Sequence, residues 1–201
     1  MPRPREFRDN DVLNRAMLLF WQQGFHATGI KQLESVTGLR TSSLYNRFGD
    51  KEGLYEAALE HYVETVVARR IERYLRHGDP LEGIRGFFRS TWDYIDDDHA
   101  PMACLLTNSA LELGNRYPAL RRRIDAGMQQ VEQALVGALE RARTSGSLPA
   151  GTEPARLGRR LAMALQGLLI STRARPERRW LRETTEAILA ELPSAGKENT
   201  P

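Results

Sequence analysis

The chain has 201 residues, of which 41% are apolar and 27% charged, with a formal net charge of +3. That balance describes a globular protein and excludes both a disordered chain and a polycation that coats nucleic acid at every sequence. Charge or glycine interrupts every apolar run before the roughly 18 residues that a membrane span needs, and the start MPRPREFRDND lacks the apolar core of a leader, so a cytoplasmic address with no membrane partner is expected.

The single cysteine, Cys104, allows no internal disulfide, and His26, His61, His77 and His99 show no paired ligand spacing, so neither a metal nor a cofactor is expected. Charge is uneven. Residues 1–53 hold eight Lys or Arg against six Asp or Glu, and the remainder holds 21 against 20. A mild positive bias at one end suits a module that meets phosphate through a few placed contacts.

The elements read as helices throughout, and the expected fold class is all-α. A first helix starts near Asp9 or Asp11, sets Leu13, Ala16, Met17 and Phe20 on one face, and stops at Gly24. Thr28 stands where it can cap a second helix over residues 29–37, with Ile30 and Leu33 inward, and Gly38 ends it. A short helix then carries TSSLYNRF. Asp50 caps the next helix, whose apolar positions are Leu54, Ala58, Leu59, Tyr62 and Val66.

Helix, short helix, glycine-bearing turn and short helix make a helix-turn-helix. The second member of such a pair lies in the DNA major groove, so its outward side chains must be short and able to donate or accept. Leu39, Leu44 and Phe48 are the anchors; Arg40, Thr41, Ser42, Ser43, Tyr45, Asn46 and Arg47 form the outward set. Taken alone, the same run is also compatible with a polar turn between helices. Arg3, Arg5 and Arg8 form either a minor-groove arm or a solvated tail.

The run AMLLFWQQGFHATGIKQLESVTGLRTSSLYNRFGDKEGLYEAAL resembles the amino-terminal domain of the TetR family of bacterial transcription regulators. Phe20, Gly24, Phe25, Thr28, Leu33, Gly38, Leu39, Leu44, Tyr45, Phe48 and Lys51 carry the likeness. The resemblance implies that Thr28 and Lys51 hold phosphates at helix starts and that Tyr45 meets the DNA backbone. It also implies that Thr41, Ser42, Ser43 and Asn46 face base edges. Helix amino termini do attract phosphate, and asparagine can pair twice with adenine. Two departures stand out. Arg40 and Thr41 replace a small serine and lysine, so the cap and the first DNA contact are exchanged. Glu34 replaces a frequent alanine, and either pairs with a nearby Lys or Arg or tilts the second helix.

The second half keeps helical period. One helix covers residues 81–96 with Leu81, Ile84, Phe87, Phe88, Trp92 and Ile95 inward, and DDDH ends it. Pro101 opens another, PMACLLTNSALELG, which puts Cys104 in its first turn. A helix of about 25 residues follows Pro118. In residues 155–173, Leu161, Leu165, Leu168 and Thr172 form a seam; in 177–192, Leu181, Thr185, Ile188 and Leu192 do the same. The seams either pair with their copies in a homodimer, with Ala164 and Gly167 allowing close approach, or face their own core.

The domain plan is therefore a helix-turn-helix DNA-binding domain at 1–53, a larger helical ligand-binding and dimerisation domain at 54–192, and a disordered tail at 193–201. The resemblance implies a homodimeric regulator, with double-stranded operator DNA and a small-molecule inducer of unknown identity as its partners. Tyr62, Phe88, Trp92, Met102, Leu106, Asn108 and Met128 would line the inducer pocket or serve as plain core. The segment around Cys104 also resembles a branch that senses electrophiles or oxidants, although a lone cysteine between Ala103 and Leu105 equally suits a small buried hydrophobe. The expected activity is transcriptional repression through a near-palindromic operator, released by inducer or by modification of Cys104. No nucleophile–base–acid set, glycine-rich phosphate loop or metal cluster supports an enzyme; a helical protein-interaction adapter is the alternative.

Overall fold

Among the described residues of the computed structural model there are ten α-helices and one π-helical turn, and no strand. It describes residues 5–92, 102–114, 116–175, 177–190 and 192–193, with side chains from residue 10 onward. The side chains of Arg3, Arg5 and Arg8, the residues Ile95 to Pro101 and the tail from residue 194 lie outside that description. No described helix is long and apolar enough to cross a membrane.

Packing divides the chain into two compact units, one of Met1–Ala68 with Cys104–Met128 and the other of Arg69–Ala103 with Gln129–Pro201. This division follows compactness. It returns the segment 104–128 to the amino-terminal half, whereas the expected domain plan follows function and cuts at 53/54.

In the first unit, α1 (Arg5–Gln23) begins earlier than Asp9 and buries Val12, Ala16, Met17, Leu19 and Phe20, a stripe at helical spacing. Two short helices follow, α2 (Ile30–Thr37) and α3 (Thr41–Phe48), separated by Gly38 in the left-handed region at φ 74°, where glycine carries no Cβ penalty. Asp50 caps α4 (Lys51–Tyr62), accepting from Gly53 N at 2.8 Å as expected. A π-helical turn, Val63–Val67, comes next and runs into α5 (Ala68–Leu75), which from Arg69 onward belongs to the second unit. Helix α7 (Leu105–Leu113) packs on α4, where Tyr55 is 1% exposed and shares a 2.6 Å hydrogen bond with Ser109. Burial pushes the Tyr55 phenol up to about 12, against the opposing pull of that bond. Phe20 and Phe25 meet its ring edge-on, with centroids 4.7 and 5.1 Å away.

The second unit is built on α6 (Pro80–Arg89), α9 (Pro154–Ala174), α10 (Arg178–Leu189) and the later part of α8 (Pro118–Thr144). Helix α6 stops at Arg89, short of the expected residue 96, because Ser90 and Thr91 turn their hydroxyls back onto the Phe87 and Phe88 carbonyls. Its Leu81, Ile84, Phe87 and Phe88 are buried. Helix α9 lies tightly on α8: a Cβ at Gly158 would come within 2.5 Å of Val136 Cγ2. The Arg85 guanidinium holds the end of the described chain, donating to the Leu192 and Pro193 carbonyls at 3.0 and 2.8 Å.

Candidate nucleic-acid interface

Helix α3 has the two-sided character expected of a reading helix. Leu44 is completely buried and Leu39 and Phe48 are half-buried, which anchors it. Arg40, Ser42, Ser43, Asn46 and Arg47 are exposed, and Tyr45 is 38% exposed. Ser42, Tyr45 and Asn46 fall at i, i+3 and i+4 and so share one outward face.

The start of α3 is unusual. Residue 40 occupies the extended capping position, but its arginine side chain makes no cap hydrogen bond. Glu34 reaches across the turn from α2 instead: its Oε1 accepts from Thr41 N at 2.5 Å and from Thr41 Oγ1 at 2.6 Å. Its Oε2 takes the Lys31 ammonium at 2.9 Å. The Thr41 hydroxyl, then Lys31 and the Thr41 amide, hold the Glu34 carboxyl at about 2 instead of the usual 4.5.

Thr28 departs from expectation. It is 0% exposed and its hydroxyl donates to the Gly24 carbonyl at 2.6 Å, so its side chain offers no face to a phosphate. The cap of α2 falls to Gly29, whose N–H is taken by Gln32 Oε1 at 2.7 Å. Lys51 is half-buried, with its ammonium 4.6 Å from the Phe25 ring centroid. Desolvation lowers its pKa, and Glu112 acts in the opposite direction.

Glu112 was not legible in the sequence. From α7 its two oxygens accept from Phe25 N at 2.9 Å and His26 N at 2.6 Å, closing the loop ahead of α2. Gly24 makes room for it: φ is +85°, and a Cβ there would stand 2.6 Å from Glu112 Oε2. The partners are 86 and 87 positions apart, and no local pattern announces such a contact.

A family profile described as "Bacterial regulatory proteins, tetR family" matches residues 12–58, and one described as "Tetracyclin repressor-like, C-terminal domain" matches residues 80–188, more than half of the chain. The chain belongs to the TetR family. It is 33% identical over 148 residues to the uncharacterized HTH-type transcriptional regulator YezE of Bacillus subtilis (strain 168), covering 74% of this chain and 76% of YezE. It is 26% identical over 172 residues to the HTH-type transcriptional repressor ComR of Escherichia coli (strain K12), covering 85% and 82%. The TetR family regulator CifR, solved as a cysteine mutant with 26-bp double-strand operator DNA, superposes with a TM-score of 0.82 at 29% identity, covering 95% of this chain and all (100%) of CifR. E. coli NemR in its reduced form shares the fold, with a TM-score of 0.84 at 21% identity over 94% of this chain and 100% of NemR. This TetR-family chain is a DNA-binding transcription regulator, and double-stranded DNA is its partner.

The residues expected to serve the effector and dimer functions of a TetR regulator are placed less simply. Cys104 is the capping residue ahead of α7 rather than a first-turn residue, because the helix begins at Leu105; the Tyr62 hydroxyl donates to its Sγ at 3.5 Å. Tyr62, Cys104, Asn108 and Met128 fall in the first compact unit, and Phe88, Trp92 and Met102 in the second. Phe88 is fully buried, and the Trp92 indole donates to Thr185 Oγ1 at 3.1 Å. A groove of about 590 Å³ takes Met128 into its wall, with Arg121, Arg122 and Ile124, but not Tyr62, Cys104 or Asn108.

The seam expected to form a dimer is core. Leu161, Leu165, Leu168, Leu181 and Thr185 are each at most 3% exposed within the single chain, and Ile188 is half-buried. Apolar surface instead appears on the opposite side of α9, where Met163 is 72% and Ile170 42% exposed. Gly167 lies between them on the same stripe, and apart from its chain neighbours and its own helix backbone nothing comes within 4 Å of where a Cβ would be.

Proposed function

We propose that this protein is a homodimeric repressor that binds a near-palindromic operator through α3 and leaves it when a small molecule binds or when Cys104 is modified. Residues 1–53 act as the reading head, and residues 54–192 carry effector binding and dimerisation. The observation that carries the proposal is the exposed face of α3, with Ser42, Tyr45 and Asn46 aligned over a fully buried Leu44. Asn46 reads a base edge, Tyr45 and Ser42 meet backbone and bases, and Arg40 makes a phosphate contact. Repression is the activity named for the relative ComR, and operator binding is named for CifR.

A dimer places two copies of α3 about one helical turn, roughly 34 Å, apart on the operator. The exposed stripe of Met163, Gly167 and Ile170 supports pairing through α9, since two such helices can approach closely at the glycine. Release runs through α7. Cys104 and Tyr62 stand at its start and Glu112 near its end, so a ligand or adduct that moves α7 also moves the loop ahead of α2. The effector must prefer the moved arrangement to shift the equilibrium.

A mobility shift on DNA flanking the protein's own gene, with excess nonspecific competitor and a salt series, tests the reading. A competitor-resistant, salt-sensitive complex with two or four subunits per site supports it. Absence of affinity for any DNA at low salt refutes it. Alkylation of the native protein with N-ethylmaleimide tests the cysteine arm, which fails if a fully modified Cys104 leaves operator affinity unchanged.

A further inference from the structure

In α3 the residue at the capping position is an arginine that does not cap, yet the first N–H of the helix, that of Thr41, has an acceptor. The acceptor is a carboxylate from another helix, seven positions earlier, and it takes the backbone N–H and the hydroxyl of Thr41 together. Glu34 is 22% exposed and is oriented from its other oxygen by Lys31, itself 86% exposed. We propose that Glu34 is the positioning residue of the reading helix, closing its amino terminus across the turn and handing the first DNA contact of α3 to Arg40.

Three consequences follow from this geometry. The Thr41 hydroxyl is committed to Glu34 as a donor, so Thr41 leaves the base-reading set, which becomes Ser42, Ser43, Tyr45 and Asn46. The positive end of α3 is already occupied by a carboxylate, so it no longer attracts a phosphate, and Arg40 takes over that contact. The bridge also ties α2 to α3 at a second point besides Gly38, which fixes the angle at which the outward face enters the groove. Carboxylate-to-amide bonds are short and charge-assisted, and they suit that positioning.

The inference rests on α3 being the reading helix, so the experiment separates the two. By charge alone, removing an acid from a DNA-facing surface strengthens binding at every sequence. Positioning has the opposite sign for the operator. Glu34→Ala is expected to bind operator about tenfold more weakly, the scale of losing one helix cap, while nonspecific binding holds or rises. Glu34→Gln keeps an acceptor oxygen in place and is expected to recover most of the operator affinity. Amide exchange at Thr41 is expected to accelerate in Glu34→Ala and stay protected in Glu34→Gln. Arg40→Ala is expected to lower the salt slope of operator binding by about one phosphate contact, near 0.9 in log–log units.

Operator affinity in Glu34→Ala equal to or above wild type, with the Thr41 amide still protected, would overturn the proposal. So would an unchanged salt slope in Arg40→Ala. Failure of the underlying reading shows differently: Asn46→Ala and Tyr45→Ala would both leave operator affinity intact.

Discussion

Helices α3 and α9 each carry a stripe that the sequence marks as a contact surface, and the structure treats the two in opposite ways. On α3 the outward set, Thr41 excepted, remains outward: Ser42, Ser43, Tyr45 and Asn46 are exposed over a buried Leu44. On α9 the marked leucines, 161, 165 and 168, turn into the chain's own core, and the exposed apolar residues are Met163 and Ile170 on the other side. Short polar side chains have few places to go, because burying a hydroxyl or amide without a partner is costly. A leucine stripe satisfies a core and an interface equally well, so its pattern cannot choose between them.

Substitutions can break that contrast, beginning with the largest effect. In the Ile170→Glu background, where self-association is removed, Leu165→Ala is expected to lower unfolding free energy by about 2–5 kcal/mol, measured by urea titration, whereas Met163→Ser is expected to stay within about 0.5 kcal/mol. Equal costs at the two sites would reverse the assignment of core and surface on α9. Next in size, Asn46→Ala is expected to weaken operator binding by about 1–3 kcal/mol in a mobility shift and to relax preference at one base pair, with thermal stability unchanged. Ile170→Glu sharpens the other side: sedimentation should show self-association weakened by at least about tenfold while the monomer stays folded.

The smallest effect is a pH dependence. Glu34 titrates at about 2 in the folded chain against the usual 4.5, so its stabilising contribution is complete above 4.5 and is lost as pH falls toward about 2. Across that window wild-type stability is expected to drop more steeply than that of Glu34→Gln, by circular dichroism melts at stepped pH. Parallel profiles would count against the Thr41 bridge.

Much of the reading head was legible because its determinants are local. Gly38 and Asp50 act within a few residues of themselves, and both do what their positions announce. Thr28 shows the limit. Its type suits a cap, but Gly29 and Gln32 close α2, and the threonine hydroxyl is drawn to the Gly24 carbonyl in the preceding turn. Helix α6 ends early for a comparable reason: Ser90 and Thr91 fold back onto its last carbonyls, which an apolar period running on to Ile95 does not reveal.

Helical periodicity, glycine positions and the short polar run between apolar anchors determined, from sequence alone, an all-α regulator with a helix-turn-helix at its start. Tertiary structure alone decided that Glu34 would cap a helix other than its own, that Glu112 would close a loop 86 positions away, and which side of α9 would be left bare. The division has a physical cause. Backbone propensity and side-chain period act over three or four residues, while a carboxylate's partner or a leucine's neighbour depends on where the rest of the chain folds.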